Sequence, residues 1–401
     1  MLTRREFIGN SIGLMAAAGT IPAFLGRTCL AVGGRAANDR VLVVIQLSGG
    51  NDGLNTVVPY ADDIYYNVRP KLAIQRASIV RLTDEVGLHP SLQPFQELYE
   101  DGSLAIVQGV GYPNPDRSHF RSMEVWHSGV ADGYSSSGWL GRLFDHTCSN
   151  GHLPESCTPT LGITVDKTLS PAFTGNSAIG IALDDPERFY RMTRLSGAAD
   201  VTGDMTGTSN LDFLRRTAMN AQVSADVVRR AADRANSTAE YPSTPFARSL
   251  QLIAKLIAGG MDTRVYYTSI SGFDTHANQP GRHAQLLKTL ADGVAAFNKD
   301  LRTNGQADRV LGVTFSEFGR RVNENGSRGT DHGQAAPMFL FGAPVRPGII
   351  GAQPSLADLD RGDLRYHTDF RQVYATVIEK WLQADPLAVL GERFDALPVL
   401  G

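Results

Sequence analysis

Five short polar clusters hold the residue types that hydrolytic or metal chemistry requires. Gly49-Gly50-Asn51-Asp52-Gly53-Leu54-Asn55 sets an acid between glycines, and Asp116-Arg117-Ser118-His119-Phe120 opens a probable helix with a serine near its start. Gly272-Phe273-Asp274-Thr275-His276, Ser316-Glu317-Phe318-Gly319-Arg320 and Gly329-Thr330-Asp331-His332-Gly333 add acids, histidines and an arginine. Singly, each has a plain structural reading. Asp52-Gly53 makes a good turn, Ser118 a helix N-cap, Asp274-Thr275-His276 a capped loop and Asp331-His332-Gly333 another turn. Together, Asp52, Asp274, Glu317, Asp331, His276 and His332 are oxygen and nitrogen donors suited to one or two divalent cations. Ser118 at a helix start adds a candidate nucleophile beside an anion site, and Arg117 or Arg320 could brace an anionic substrate through a forked hydrogen bond.

Such a set works only if the fold brings it to one place, and the pattern of elements offers a way. Arg40 to Leu47 contains Val41-Leu42-Val43-Val44-Ile45, an uninterrupted apolar run that reads as a strand buried on both faces. Pro90 to Tyr99 spaces Leu92, Phe95 and Leu98 as a helix does, and Leu104 to Val107 is a second buried strand. Strand, helix, strand is the signature of a parallel sheet. Further strands are expected at Leu161 to Val165, Ile179 to Leu183, Thr263 to Ile270, Arg309 to Phe315 and Met338 to Phe341. Helices are expected at Leu211 to Ala235, Ser249 to Ile257, His283 to Arg302 and Asp369 to Leu382. The fold class is therefore α/β, with one large domain over 37–401 and a long irregular insertion around 130–245. In open sheets of this kind ligands collect beyond the carboxyl ends of the strands, where four of the five clusters are predicted to lie; the fifth directly precedes the last strand.

The N-terminus reads as an export signal. Thr3-Arg4-Arg5-Glu6-Phe7-Ile8 pairs two arginines ahead of Ile12 to Leu25, an uncharged stretch of small and apolar residues. Gly19 and Pro22 interrupt that stretch, and it is shorter than the roughly 20 residues of a permanent span. Residues 1–36 are thus expected to be a twin-arginine signal peptide, with the Tat translocase as a transient partner and a periplasmic or extracellular destination. The net charge of −3 gives no electrostatic reason to seek nucleic acid or an anionic membrane. In an oxidising compartment Cys148 and Cys157, which flank a polar loop, are a plausible local disulfide.

The paired-arginine leader, Leu47-Ser48-Gly49-Gly50-Asn51-Asp52-Gly53-Leu54-Asn55, Arg117-Ser118-His119-Phe120, Phe273-Asp274-Thr275-His276, Ser316-Glu317-Phe318-Gly319-Arg320 and Thr330-Asp331-His332-Gly333 together resemble the bacterial Tat-exported family called domain of unknown function 1501. That family's fold resembles the alkaline phosphatase and sulfatase superfamily, which implies a three-layer α/β/α architecture with a mostly parallel sheet. The resemblance implies Asp52 as the acid after the first strand, Ser118 as nucleophile, and Asp274 with His276 in one metal site. It implies Glu317 and His332 in a second. The chain departs at Phe318, where the superfamily carries a histidine. His367 precedes Asp369-Phe370-Arg371-Gln372-Val373, which resembles the superfamily's closing helix, and reads first as a supporting or surface histidine; His89 and His283 are weaker candidates still.

The expectation is an exported hydrolase of phosphate or sulfate esters, of a small molecule or a glycan, using Ser118 and one or two divalent ions, zinc or calcium. The alternative is a secreted protein of the same fold that binds a metal or an anionic glycan without turning it over. Phe318 is the feature that keeps this alternative open.

Overall fold

The computed structural model describes residues 39–149, 157–176, 180–195, 210–235, 237 and 239–401. The expected signal peptide falls outside the described residues. The chain enters the sheet with β1, Val41–Ser48. Side chains alternate across a strand: Val41, Val43, Ile45 and Leu47 join one core, and Leu42 and Val44 the other. A strand apolar at nearly every position follows from burial on both sides.

Eight further strands complete the sheet: β2 Leu104–Gly111, β3 Gly162–Thr164, β4 Ile181–Ala182, β5 Val265–Ser271, β6 Val310–Phe315, β7 Ala336–Phe341, β8 Gly348–Ile350 and β9 Thr368–Asp369. The order is β8-β2-β7-β6-β1-β5-β3-β4, with β9 also beside β2. Neighbours run parallel except β7, which is antiparallel to both β2 and β6. The stretch around 130–245 is thus more than an excursion, because it supplies β3 and β4 at the far edge.

Among the described residues the α-helices of seven or more residues are α1 Gln93–Glu100, α2 His119–Ser128, α3 Trp139–Ser149, α4 Pro186–Leu195, α5 Asn210–Arg234, α6 Pro245–Ala258, α7 Gln279–Thr303 and α8 Phe370–Thr376. On one face Phe95 of α1, Leu250 and Ile253 of α6, and Leu287, Leu290, Val294 and Phe297 of α7 pack against the odd-numbered side of β1. On the other face Trp126 of α2, Trp139 of α3 and Phe370 and Tyr374 of α8 meet the even-numbered side. The result is the expected α/β/α sandwich. Trp126 is stacked between Phe315 at 5.2 Å and Phe370 at 4.3 Å, which fixes the depth of α2 over the sheet.

The helix expected at Asp369 to Leu382 is shorter than its periodicity predicts. A reciprocal cap between Asp369 and Gln372 starts α8, and Val377–Trp381 continues as a wider π turn. Cys148 and Cys157 are joined with their Cα atoms 5.9 Å apart, tying the end of α3 to a position nine residues on. Among the described residues no helix is long and apolar enough to cross a membrane.

Candidate metal centre

Because β7 runs against its neighbours, its amino end lies at the same edge as the carboxyl ends of β1, β2, β5 and β6. Five segments therefore meet there, and they meet closely. A Cβ on Gly49, at φ +121°, would lie 2.3 Å from the Asp274 backbone nitrogen, and one on Gly50, at φ +79°, 2.4 Å from the Phe318 ring. Only glycine tolerates both the backbone angle and the approach.

Three histidines converge on Asp274. His276 Nε2 is 3.0 Å and His332 Nε2 3.1 Å from Asp274 Oδ1, and His119 Nε2 is 3.6 Å from Oδ2. Each ring is held from behind through Nδ1. His332 Nδ1 lies 2.8 Å from the Arg117 carbonyl oxygen, His276 Nδ1 3.1 Å from Asp331 Oδ1, and His119 Nδ1 2.9 Å from Glu317 Oε1. A carbonyl or ionised carboxylate only accepts, so each Nδ1 carries a proton, and each Nε2 faces the centre, where it donates to Asp274 or, with a cation bound, offers its lone pair. Oxygen acceptors behind ligating imidazoles are the usual outer support of metal sites.

His276 Nε2 and His332 Nε2 stand 2.9 Å apart. Two lone pairs at that distance repel unless a proton or a cation lies between them. Ligand atoms of His119, Asp274 and His332 all lie within 4.8 Å of one another, which is the spread of a single-ion donor set. The donor chemistry fits a borderline ion such as zinc better than calcium, which prefers oxygen throughout.

Asp274 is held in place by Arg320. This arginine is buried and donates to Asp274 Oδ1 at 2.7 Å, to the Gly50 carbonyl at 2.7 Å, to Thr330 at 2.8 Å, to Phe273 at 3.1 Å and to Gly49. Burial works against ionisation of Asp274, but hydrogen bonds from Arg320 and His332 and the Arg320 charge outweigh it and hold the carboxyl at about 2. Burial also lowers His332 below its ordinary value, against the opposing hydrogen bond with Asp274.

The remaining expected ligands have other partners. Glu317, 1 % exposed, accepts from the Gly49 amide at 2.8 Å as well as facing His119, and Asp331 accepts from Asn325 at 3.1 Å behind His276. Both support histidines from behind. Asp52 lies outside the cluster altogether. It is fully buried, pairs with Arg69 at 2.6 Å and accepts from Gln279. Burial alone would raise its pKa, yet the Arg69 charge and hydrogen bond bring it below the usual carboxylate range. Both Asp52 oxygens are thereby engaged.

Neither arginine expected at the substrate is free to serve there. Arg320 is committed to the backbone and Asp274 as described, and the Arg117 guanidinium pairs with the buried Asp363. Ser118 occupies the N-cap position of α2 with extended backbone, but its hydroxyl makes no capping bond and the residue is exposed. His119, one position on, is the residue of this segment that turns into the centre. Phe318, 2 % exposed, fills the place of the superfamily histidine as an apolar wall, its ring 4.6 Å from His332 and 5.0 Å from His119.

Beside the centre opens a cavity of about 680 Å³, lined by His119, Asp274, Glu317, Gly49 and Gly272 on the metal side and by α2 and the 135–138 loop opposite. Its size suits a small-molecule ligand. Sequence reasoning left His119 and Arg69 without roles. His119 has a detectable signal in the boundary it shares with Ser118, whereas Arg69 in Val68-Arg69-Pro70 looks like any surface arginine.

Residues 39–380 match the family described as Protein of unknown function (DUF1501), and the chain belongs to it. No curated protein matches the sequence. Among solved structures, the chain is similar to a protein in the alkaline phosphatase superfamily from Vibrio parahaemolyticus, with 10% identity over 98% of this chain and 80% of that one and a TM-score of 0.38. It is also similar to the PsFucS1 sulfatase from Pseudoalteromonas sp., at 12% identity, 96% and 76% coverage and TM-score 0.37. A third is the zinc complex of the C-terminal periplasmic domain of EcEptC from Escherichia coli, at 12%, 77% and 74%, with TM-score 0.33.

Proposed function

We propose that this member of the DUF1501 family is an exported hydrolase of phosphate or sulfate esters that depends on one divalent ion held by His119, Asp274, His276 and His332. The observation that carries the reading is the turning of three Nε2 atoms onto one carboxylate while every Nδ1 is held by an oxygen. The ester class follows from the resemblance of the ordered motifs to the alkaline phosphatase and sulfatase superfamily. A bound ion would supply Lewis acidity to a substrate oxygen and ease deprotonation of an attacking hydroxyl or water. Arg320 holds Asp274 ionised, Glu317 keeps the His119 tautomer, and Phe318 excludes water from one side of the centre. Ser118 remains a candidate nucleophile only if the loop before α2 turns its hydroxyl toward His119.

The non-catalytic reading has its own support. Arg117 and Arg320 are both engaged, so no arginine of the expected pair is left for an anionic ester. Element analysis of the mature protein purified without chelators, followed by a panel of phosphate and sulfate esters, separates the readings. Stoichiometric metal with turnover supports the hydrolase, metal without turnover the metal-binding protein, and absence of metal removes both of these and leaves only glycan binding.

A further inference from the structure

We propose that the cavity beside the metal centre binds an uncharged, hydroxyl-rich ring such as a saccharide, stacked on Phe120 and hydrogen-bonded by Gln46, His127 and the serines of the 135–137 loop. The inference deepens the proposed function by naming the group that neighbours the metal, and it rests on that reading only for the position of the ester.

Charge is the first argument. Among the described residues no lysine or arginine lines the cavity. Its three carboxylates already have partners: Asp274 faces Arg320, Glu317 faces His119 and the Gly49 amide, and Glu124 pairs with Arg121 at 3.0 Å. An anionic group would meet these acids with Arg320 and Arg121 already engaged by Asp274 and Glu124. A cationic group would have to displace existing partners.

The floor of the cavity supplies neutral polar contacts. Tyr267 donates its hydroxyl to Gln46 Oε1 and lies 3.1 Å from His127 Nε2. With its own proton on Gln46, that hydroxyl accepts from Nε2, which leaves His127 Nδ1 as an acceptor. Gln46 keeps its amide donors. Burial pushes His127 down to about 4, so the ring is uncharged near neutrality. The Ser48, Ser136 and Thr174 hydroxyls, which also line the cavity, make no hydrogen bond among the described residues. Donors and acceptors without charge are the complement of sugar hydroxyls.

The mouth supplies an apolar face. Phe120 is 91 % exposed, an unusual cost for a residue that contributes nothing to either core, and it lines this cavity with Met123 and Pro171. An aromatic face beside hydroxyl partners suits a ring with apolar C–H faces and a polar rim.

The test is saturation-transfer NMR and calorimetric titration of the mature protein, with and without zinc, using maltose, cellobiose and lactose as neutral probes. Digalacturonate serves as the anionic probe and chitosan disaccharide as the cationic one. Binding of at least one neutral disaccharide, in preference to both charged ones and weakened about tenfold by Phe120→Ala, is expected. Phe120 is exposed, so that variant keeps the fold. Equal or tighter binding of a charged probe, unchanged binding in Phe120→Ala, or binding of none of the five overturns the proposal. Saccharide binding by protein that takes up no zinc would sink the metal reading and leave this one standing, whereas zinc uptake with no saccharide binding does the reverse.

Discussion

His276 and His332 bring their Nε2 atoms within 2.9 Å of one another although each ring already has its Nδ1 engaged with an oxygen. Two nitrogens at that distance need a proton or a cation between them, and the proposed cation makes the centre testable ligand by ligand. Asp274→Ala and His332→Ala are expected to leave bound zinc well below one equivalent by element analysis, His332→Ala at little change in unfolding midpoint and Asp274→Ala at a lower one, because the buried Arg320 loses its carboxylate. Glu317→Gln keeps the shape but alters the support of His119, and should weaken zinc about 10- to 100-fold in a chelator competition. Full retention of zinc in Asp274→Ala would remove the site.

Asp52 gives the opposite pattern. Its pairing with Arg69 is wholly buried, and removing one partner of such a pair strands the other charge at a cost of about 3–5 kcal/mol. Asp52→Ala should therefore unfold in much less urea than the parent and, where folded, still hold metal. A variant of normal stability that loses its zinc would restore Asp52 as a ligand.

Buried histidines set the acid limit. Burial pushes His89 and His127 down to about 4 and His283 to about 3. Their folded values lie below the unfolded value of about 6.5, so between these limits the unfolded chain binds more protons and stability rises with pH. On acidification, each loses about 1.4 kcal/mol per pH unit, starting near 6.5 and ending near its folded value. Asp52, also lowered in the folded state, stabilises above its unfolded value and adds to the loss as pH falls further. Urea midpoints measured from pH 8 to 4 should fall steeply below 6.5. His283→Gln should flatten that fall by one histidine, and a flat profile in the parent would contradict the burial argument.

Ser118 distinguishes two roles by one substitution. Its hydroxyl caps nothing, so Ser118→Ala should stay within about 0.5 kcal/mol of the parent, less than the ~1 kcal/mol of a working cap. Turnover of any accepted ester should persist if the attacking group is not this serine. Abolished turnover at normal stability would make Ser118 the nucleophile.

For the leader, replacing Arg4 and Arg5 together by lysine is expected to retain the precursor in the cytoplasm. Cell fractionation reads the outcome, and unchanged export would assign the leader to another route.

The strands were legible because burial on both faces leaves an apolar run that no surface segment imitates, as Val41 to Ile45 does. The reversed direction of β7 was not legible. Its Met338-Phe339-Leu340-Phe341 run reads the same in either orientation, and the turn chemistry before it fixes no hand. Asp274, His276 and His332 were legible as donors since loops at strand ends favour chemistry. The partner of Asp52 was hidden because Arg69 lies 17 residues away in no periodic relation to it. His119 was obscured by the rule that adjacent helical residues face apart. That rule does not apply here, because Ser118 has extended backbone and the helix begins at His119.

The chain leaves the sheet after Phe315 and re-enters it, reversed, at Ala336, and between these points its two arms zip together. Gly319 and Gln334 bond at 2.9 Å, Arg321 and Asp331 at 2.9 Å, and Arg320 and His332 form a bridge. Departure and return on the same side mean that no crossover is threaded through this segment. Residues 316–335 therefore form one two-armed unit that carries Glu317, Arg320 and His332 together, so a residue inserted in either arm would shift Arg320 against His332 while the order of the strands is left alone.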